Sequence, residues 1–289
     1  MVTPDVARAV GAATDIASDL GLAVAEARVV RNSNKLAVRL LPCDVFARIA
    51  FAGSEDFEAE LQIARRLTEA GAPVASLERR VEPRVYERDG FATTLWTYYE
   101  QVGHEAPPID YARALEQLHA EMAKVEVAAP HFSDRVTEAQ ELVASPNRTP
   151  GLDDSDRSLL TSTLRSLRRA IRERSSAEQL LHGEPHAGNL LNTRSGPLFI
   201  DLETICHGPV EFDLAHVPQE VSECYVDPDQ ELLSACRLLV LAMVAAWRCD
   251  RGDQLPNGKR AGEELLKALR AGPPWPSLDV VWERTVGPE

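Results

Sequence analysis

The sequence predicts an α+β protein with a small β-rich N-terminal part and a larger helical C-terminal part. Short β-rich runs separated by turn residues occupy much of the first hundred residues. After Gly103, apolar residues recur mainly at helical spacing. One strand-like pair, "NLLNTRSGPLFIDLE", interrupts the helical part. These observations predict two domains, residues 1–102 and 103–289.

Local patterns define the N-terminal elements. An opening helix is expected within Asp5–Leu20, and "LAVRLL" and "VFARIAF" are strand-like with Pro42 between them. The segment "EDFEAELQIARRLTEAG" has apolar residues at helical spacing, and Gly71 can cap its end. Asp89-Gly90 between two β-rich runs predicts a hairpin. We therefore expect a small antiparallel sheet with one inserted helix.

The C-terminal part contains five segments with helical apolar spacing. They are Tyr111–Lys124, Ser133–Ala144, Asp153–Arg174, Glu231–Cys249 and Gly262–Ala271. The most apolar run, "LLVLAMVAAW", is too short to span a bilayer and has an arginine at each end. We expect it to be a buried core helix and expect no membrane partner.

Charge and cysteine content narrow the function classes. Acidic residues exceed basic ones, with a net charge of −14, which disfavours nucleic acid as a partner because phosphate binding needs a basic face. The five cysteines are odd in number and form no CxxC pair, which indicates free thiols in a reducing cytoplasm. The N-terminus lacks the basic start and apolar core of a signal peptide, so a cytoplasmic location is expected.

The chemistry is concentrated in "HGEPHAGN", residues 182–189. Its glycines and proline disfavour a helix. His182 and His186 are four residues apart, a spacing that suits zinc on a helix but has no special meaning on a loop. A metal-dependent hydrolase that uses His182, Glu184, His186 and Asp201 is therefore the minor alternative.

The carboxylates and the amide suit phosphoryl transfer better. This reaction needs a carboxylate to orient the attacking hydroxyl, and hard oxygen ligands for Mg²⁺ on the nucleotide phosphates. Glu184 can be the carboxylate that orients the hydroxyl, and Asn189 and Asp201 can be the oxygen ligands of Mg²⁺. An acid, an asparagine five residues later and a metal aspartate after a short hairpin form the protein-kinase arrangement.

Three ordered motifs, "HGEPHAGN", "FIDLET" and "GPVEFDLAH", resemble the aminoglycoside phosphotransferase family of kinase-like small-molecule phosphotransferases. The typical loop of that family reads HGDxHxxN. The resemblance implies a two-lobed, protein-kinase-like fold, with a small antiparallel-sheet N-lobe and a larger helical C-lobe. It places Glu184 at the position of the catalytic acid, and Asn189 and Asp201 at the metal positions. Asp213 would brace the loop.

The same resemblance assigns the N-terminal lobe to nucleotide binding. A hairpin in "RNSNKLAVRL", with Ser33 at its tip, would cover the phosphates. Arg48 would take the place of the basic strand residue, and Glu60 on the following helix would pair with it. Backbone groups of the hinge would meet the adenine near Tyr98, Tyr99 and Glu100.

The implied cofactors are ATP or GTP and Mg²⁺, and the implied partner is a small-molecule acceptor bound by the C-terminal lobe. An aminoglycoside or other amino sugar is the first expectation, since a cationic acceptor suits the acidic chain. Such a kinase would serve antibiotic resistance or metabolism. The acidic segment Gln219–Glu231 is either a solvated acidic loop or a pocket wall for a polyamine acceptor. Glu184 and Arg48 replace the aspartate and lysine of the family, so a catalytically impaired nucleotide-binding module is the main alternative.

Overall fold

The computed structural model describes residues 1, 3–32, 35–53, 57–103 and 105–281. The chain divides into two compact units, each with its own hydrophobic core. The first comprises Met1–His104 and Leu191–Glu203, and the second comprises Glu105–Leu190 and Thr204–Glu289. The roles predicted for residues 1–102 and 103–289 stay predictions.

The first unit contains an antiparallel sheet in the order β1-β2-β3-β5-β4. Its strands are β1 (Val24–Asn32), β2 (Leu36–Pro42), β3 (Val45–Phe51), β4 (Tyr86–Arg88) and β5 (Phe91–Thr97). Its helices are α1 (Thr3–Asp19) and α2 (Phe57–Ala70). The small antiparallel sheet with an inserted helix is as predicted, and β4 and β5 turn at Asp89-Gly90.

Helix α1 packs against this sheet because its small apolar residues share one side. The buried positions follow an i, i+3, i+4, i+7, i+8 pattern: Ala9, Ala12, Ala13, Ile16 and Ala17. Helix α2 ends at Gly71, whose φ of +81° and backbone bonds to the last turn form the predicted glycine cap.

A second hairpin also belongs to the first unit. Strands β7 (Leu190–Thr193) and β8 (Gly196–Phe199) pair with each other, as expected for the strand-like pair in "NLLNTRSGPLFIDLE", and the turn between them is at Arg194-Ser195. The Phe199 backbone donates to Pro73 O over 2.8 Å and accepts from Ala75 N over 2.9 Å. These bonds attach the hairpin, and Asp201 after it, to the segment that follows α2.

The second unit is helical. Its helices are α3 (Pro108–Met122), α4 (Phe132–Ala144), α5 (Asp154–Arg174), α6 (Val210–Leu214), α7 (Gln219–Cys224), α8 (Gln230–Arg248) and α9 (Gly258–Ala271). Strands β6 (Gln179–Leu181) and β9 (Cys206–Gly208) form a short antiparallel ladder. The five predicted helical segments correspond to α3, α4, α5, α8 and α9, with ends that differ by a few residues, as helix ends commonly do.

Helix α8 is the centre of the second core. By length and composition it could cross a membrane, but most of that stretch is buried inside the protein. It packs against α4, α5 and α9, and its buried residues surround most of the helix. A helix that is apolar on most sides is typical of a protein core, so the predicted core helix is confirmed.

Candidate active site

The loop that carries Glu184 leaves strand β6 through a turn that only glycine fits. Gly183 has a φ of +88°, in the left-handed region that favours glycine. A Cβ on this residue would overlap the carbonyl oxygen of Thr204 and lie 2.8 Å from its carbonyl carbon. The loop ends in a single 3₁₀ turn, Ala187–Asn189, directly before β7. The sequence therefore fixes both ends of the loop locally.

Asp213 on α6 holds the first residues of this loop in place. Its carboxylate accepts hydrogen bonds from the backbone nitrogens of His182 (2.9 Å) and Gly183 (2.8 Å), as predicted. It also lies 3.0 Å from Nε2 of His119, whose Nδ1 contacts the Tyr225 hydroxyl. Burial acts to raise the pKa of Asp213, but the bonds from His119 and the backbone outweigh it and lower that pKa. His119 therefore helps to hold the Asp213 carboxylate in place.

The carboxylate of Glu184 is partly buried and forms an ion pair with Arg135 of α4. Burial acts to raise the pKa of Glu184, but the charge of Arg135, with smaller contributions from His216 and His186, outweighs it. The pKa of Glu184 is therefore lowered, and the side chain is an anion at neutral pH. Nothing in the sequence around Arg135 marked it as a site residue.

Asn189 is buried on the same loop, with its amide nitrogen 3.0 Å from the backbone oxygen of Glu184. This bond links Asn189 to Glu184, five residues earlier in the loop, and orients the Asn189 side chain. Within the described part of the chain, no hydrogen bond is donated to the Asn189 amide oxygen. That oxygen suits a hard metal ion such as Mg²⁺.

The two loop histidines have structural partners. His186 caps the 3₁₀ turn, with Nδ1 accepting from the Gly188 backbone over 3.1 Å. His182 is fully buried, and its Nδ1 lies 3.4 Å from the Glu184 backbone nitrogen. Among the described residues, the metal-ligating side chains that converge include neither histidine. The predicted zinc alternative therefore has no support in this geometry.

The first unit contains the predicted ion pair between Arg48 of β3 and Glu60 of α2. Glu60 is buried on the inner face of α2, and Arg48 is largely buried. Arg48 also contacts Asp201, at 2.9 Å, and Glu203. Burial acts to lower the pKa of Arg48, but these three carboxylates raise it, so the guanidinium stays charged.

Lys35 is a further member of this cluster that sequence reasoning missed. It is only 7 % exposed, pairs with Glu203, and lies 3.7 Å from Oε2 of Glu60. Its ammonium group also lies 4.3 Å from the centre of the Phe57 ring. Lys35 directly precedes β2, and nothing in the sequence around it marked it as buried or as a site residue.

Three carboxylates converge beside these two cations. Oxygen atoms of Glu60, Asp201 and Glu203 all lie within 4.8 Å of one another. Asp201 has a φ of +67°, in the left-handed region that aspartate tolerates better than most residues. Burial and the neighbouring Asp201 raise the pKa of Glu203 to about 7, whereas Arg48 lowers that of Asp201 despite its burial. Oε2 of Glu60 is buried and accepts no hydrogen bond, so this oxygen-rich set fits a divalent cation.

The remaining predicted nucleotide residues lie in the first unit. Tyr98, Tyr99 and Glu100 follow directly after β5. The Tyr98 ring lies 3.8 Å from the Arg39 guanidinium, and the Tyr99 hydroxyl lies 3.3 Å from the Ser76 nitrogen. Their predicted role concerns backbone groups and stays a prediction. Strands β1 and β2 form the predicted hairpin, but Ser33, which was predicted to lie at its tip, is outside the described residues.

Sequence comparison decides the family. The model of the phosphotransferase enzyme family, APH, matches residues 26–235, which include every site residue described above. The chain belongs to this phosphotransferase family. No curated protein sequence matches the chain.

Solved structures show that this phosphotransferase has the predicted kinase-like fold. Amicoumacin kinase hAmiN, in complex with AMP-PNP and Ca²⁺, has a TM-score of 0.69 at 10% identity, covering 96% of this chain and 100% of its own. Spectinomycin phosphotransferase, with ADP and spectinomycin, has a TM-score of 0.66 at 14% identity, covering 93% and 96%. Choline kinase LicA from Streptococcus pneumoniae has a TM-score of 0.66 at 14% identity, covering 90% and 98%.

Proposed function

We propose that this chain transfers the γ-phosphoryl group of ATP or GTP to a hydroxyl group of a small molecule. The observation that carries the proposal is the ionised Glu184 carboxylate on a braced loop in a member of a phosphotransferase family. Family membership supports small-molecule phosphoryl transfer in general. The use of ATP or GTP, the alcohol acceptor and the cytoplasmic location are proposals that go beyond family membership.

Glu184 is the proposed catalytic residue. Its carboxylate accepts a hydrogen bond from the acceptor hydroxyl and takes its proton as the new O–P bond forms. The bond between the γ-phosphorus and the bridging oxygen breaks, and the nucleoside diphosphate leaves. Because the transition state of such transfers is loose, the main task of the carboxylate is to position the hydroxyl. A low pKa, as at Glu184, is compatible with that task.

The first unit is the proposed nucleotide-binding part. Arg48, held by Glu60, would contact the α- and β-phosphates, and the Ser33 hairpin would cover them. The backbone near Tyr98, Tyr99 and Glu100 would meet the base. The complexes of amicoumacin kinase with AMP-PNP and of spectinomycin phosphotransferase with ADP support nucleotide use.

Asn189 and Asp201 are the proposed ligands of Mg²⁺. When bound, this ion neutralises charge on the phosphate oxygens during transfer. The free amide oxygen of Asn189 and the carboxylate cluster at Asp201 are the hard oxygen donors that Mg²⁺ prefers. The Ca²⁺ in the amicoumacin kinase complex supports divalent metal use.

The acceptor is proposed to bind to the second unit. A cavity of about 360 Å³ is lined by Glu138 and Leu142 of α4 and by Trp247 of α8. Glu138 and Leu142 lie one and two turns along α4 from Arg135, which contacts both Glu184 and the Trp247 ring. An acceptor with its hydroxyl at Glu184 could therefore extend into this cavity.

An aminoglycoside or other amino sugar remains the first proposal for the acceptor, because Glu138 is an exposed acid in this cavity. The two arginines of the lining, Arg148 and Arg248, are balanced by ion pairs with Asp250 and Asp253. The acidic segment Gln219–Glu231 is a weaker candidate. Two of its acids, Asp229 and Glu231, pair with Arg174, and Asp229 also caps α8. These contacts give part of the segment a structural role.

Nucleotide-dependent thermal stabilisation is the first test. We expect ATP or GTP at millimolar concentration to raise the melting temperature when Mg²⁺ is present. Phosphate transfer is then measured across aminoglycosides, amino sugars, choline and homoserine. Glu184→Gln should abolish transfer and retain nucleotide binding, whereas Glu141→Gln, on the exposed side of α4, should change neither. Absence of stabilisation by either nucleotide would contradict the proposal.

A catalytically impaired nucleotide-binding module is the second candidate. It is favoured by the glutamate at position 184, whose extra methylene moves the carboxylate relative to the family aspartate. Misplacement by about 1 Å can reduce a rate on the order of 100-fold. Nucleotide binding without transfer, together with activity gained by Glu184→Asp, would support this candidate.

A further inference from the structure

Arg135 is placed to control the position of Glu184. It lies on α4, in the second unit, and its Nη1 lies 3.3 Å from the backbone oxygen of Gly183. Its Nη2 donates to Oε1 of Glu184. One guanidinium therefore contacts both the backbone of the loop and the carboxylate that the loop carries.

Arg135 is itself held in place. Its guanidinium carbon lies 5.0 Å from the centre of the Trp247 ring on α8, a cation–π distance. Its side chain is only 16 % exposed. Because α8 is fixed in the core, the guanidinium is confined between a rigid ring and the loop. The planar, forked shape of arginine suits such a stacked site better than lysine does.

Glu184 needs such an anchor more than an aspartate would. Its side chain has one more rotatable bond, and fixing a long side chain costs conformational entropy. Within the described part of the chain, the ion pair with Arg135 is the hydrogen bond that its carboxylate makes, and Oε2 receives none. One oxygen is therefore anchored, and the other is available for a hydroxyl.

We propose that Arg135 is a positioning residue that fixes Oε1 of Glu184 and directs Oε2 to the acceptor hydroxyl. The inference rests on the proposed function, because it takes Glu184 as the catalytic residue. It explains how this chain accommodates glutamate where its family has aspartate: the arginine fixes the longer side chain on the loop.

The electrostatic surroundings of Glu184 make the inference measurable. The charged and titratable groups that interact with it are Arg135 from α4, His216 from the segment after α6, His186 from its own loop and the buried Cys206 thiol from β9. Burial opposes ionisation, and Arg135 makes the largest favourable contribution. Removal of Arg135 leaves the burial effect largely unopposed, so the pKa of Glu184 should rise.

The decisive experiment is an NMR pH titration of the Glu184 side-chain carboxyl carbon, assigned by comparison with Glu184→Gln. We expect a pKa below the ordinary glutamate value in the wild type, a clear upward shift in Arg135→Met and a smaller shift in Arg135→Lys. Arg169→Met, an exposed arginine on α5, should leave the titration unchanged. An identical Glu184 titration in the wild type and both Arg135 variants would overturn the inference.

Kinetics separate this inference from the proposed function. With an acceptor identified from the panel, Arg135→Lys should lower kcat about 10- to 100-fold, leave the nucleotide KM within about twofold and move the acid limb of the pH profile upward. A uniform loss at every pH would indicate a merely structural role and overturn the inference. If no acceptor is phosphorylated, the proposed function fails, whereas the titration still tests the control of Glu184 by Arg135.

Discussion

The Oδ1 atom of Asp213 lies 2.8 Å from the backbone nitrogen of Gly183, and its Oδ2 atom lies 2.9 Å from that of His182. Both donors precede Glu184 in the same loop. A buried carboxylate on α6 thus sets the path of the backbone that presents the proposed catalytic residue. We therefore expect the loop to be sensitive to changes at Asp213.

Asp213→Asn should lower the free energy of unfolding by about 2–4 kcal/mol. An amide can accept through only one of its two positions, so one buried backbone N–H group loses its charged partner. Urea unfolding measures the loss. Asp15→Asn, an exposed change on α1, should cost less than about 0.5 kcal/mol. Equal stability of the two variants would contradict the bracing role.

Gly183→Ala should be more destabilising than backbone conformation alone requires. The variant combines a left-handed φ with overlap against Thr204. Gly90 is the matched control, because its φ of +82° is similar and its Cβ would meet open space. We expect Gly90→Ala to cost about 1–2 kcal/mol in urea unfolding, and Gly183→Ala to cost more. Equal losses of unfolding free energy in the two variants would contradict this prediction, because they would show that the loop shifts to relieve the contact with Thr204.

Glu60→Gln should destabilise the first unit and weaken nucleotide binding. The buried carboxylate of Glu60 balances Arg48 and Lys35, and removal of one partner of a buried ion pair typically costs about 3–5 kcal/mol. Glu58→Gln changes an exposed acid on the same helix and is the control. Urea unfolding and thermal stabilisation by nucleotide measure the two effects. Unchanged nucleotide affinity in Glu60→Gln would show that Glu60 does not contribute to nucleotide binding.

Removal of the divalent metal should abolish both phosphate transfer and the metal-dependent part of nucleotide stabilisation. We expect excess EDTA to have this effect on the wild type, with recovery when Mg²⁺ is restored. Asp201→Asn should show the same loss at saturating Mg²⁺, and it should fold because asparagine also tolerates a left-handed φ. Asp89→Asn, at a hairpin residue with a φ of +52°, tests the backbone effect alone. If Asp201→Asn keeps the same Mg²⁺-dependent transfer and nucleotide stabilisation as the wild type, Asp201 is excluded as a metal ligand.

His216 should make the protein less stable in mild acid. Burial lowers the pKa of its imidazole to about 4, whereas an imidazole in the unfolded chain titrates near 6.5. Between these values the unfolded state binds more protons, so stability falls as the pH falls, by about 3 kcal/mol across this window. His216→Phe should remove this part of the pH dependence in urea unfolding. His207→Phe should retain it, and parallel curves for His216→Phe and the wild type would refute the assignment.

Local patterns predicted the elements whose causes are local. Asp89-Gly90 predicted a hairpin because a tight turn needs residues that accept a positive φ, and both have one. Gly71 predicted the end of α2 for the same reason. The pair of Arg48 and Glu60 was predicted from the family resemblance, which implies a basic strand residue paired with a glutamate on the following helix.

The missed residues depend on contacts between distant parts of the chain. Arg135 meets Glu184 because α4 packs near the β6 loop, and neither "FSDRVTEA" nor "HGEPHAGN" contains that information. Lys35 can be buried because it pairs with Glu203, which follows the β7–β8 hairpin in the sequence. A single charged residue in a short run is usually solvated, so such partners emerge only from tertiary structure.

The placement of residues 191–203 in the first unit has a consequence for synthesis on the ribosome. When the first hundred residues have emerged, β2 and β3 can pair, but Lys35 and Arg48 lack the carboxylates of Asp201 and Glu203. The backbone at Pro73 and Ala75 also lacks Phe199. The N-terminal unit can therefore begin to fold first, but it can be completed only after the first half of the helical unit, residues 105–190, has been translated.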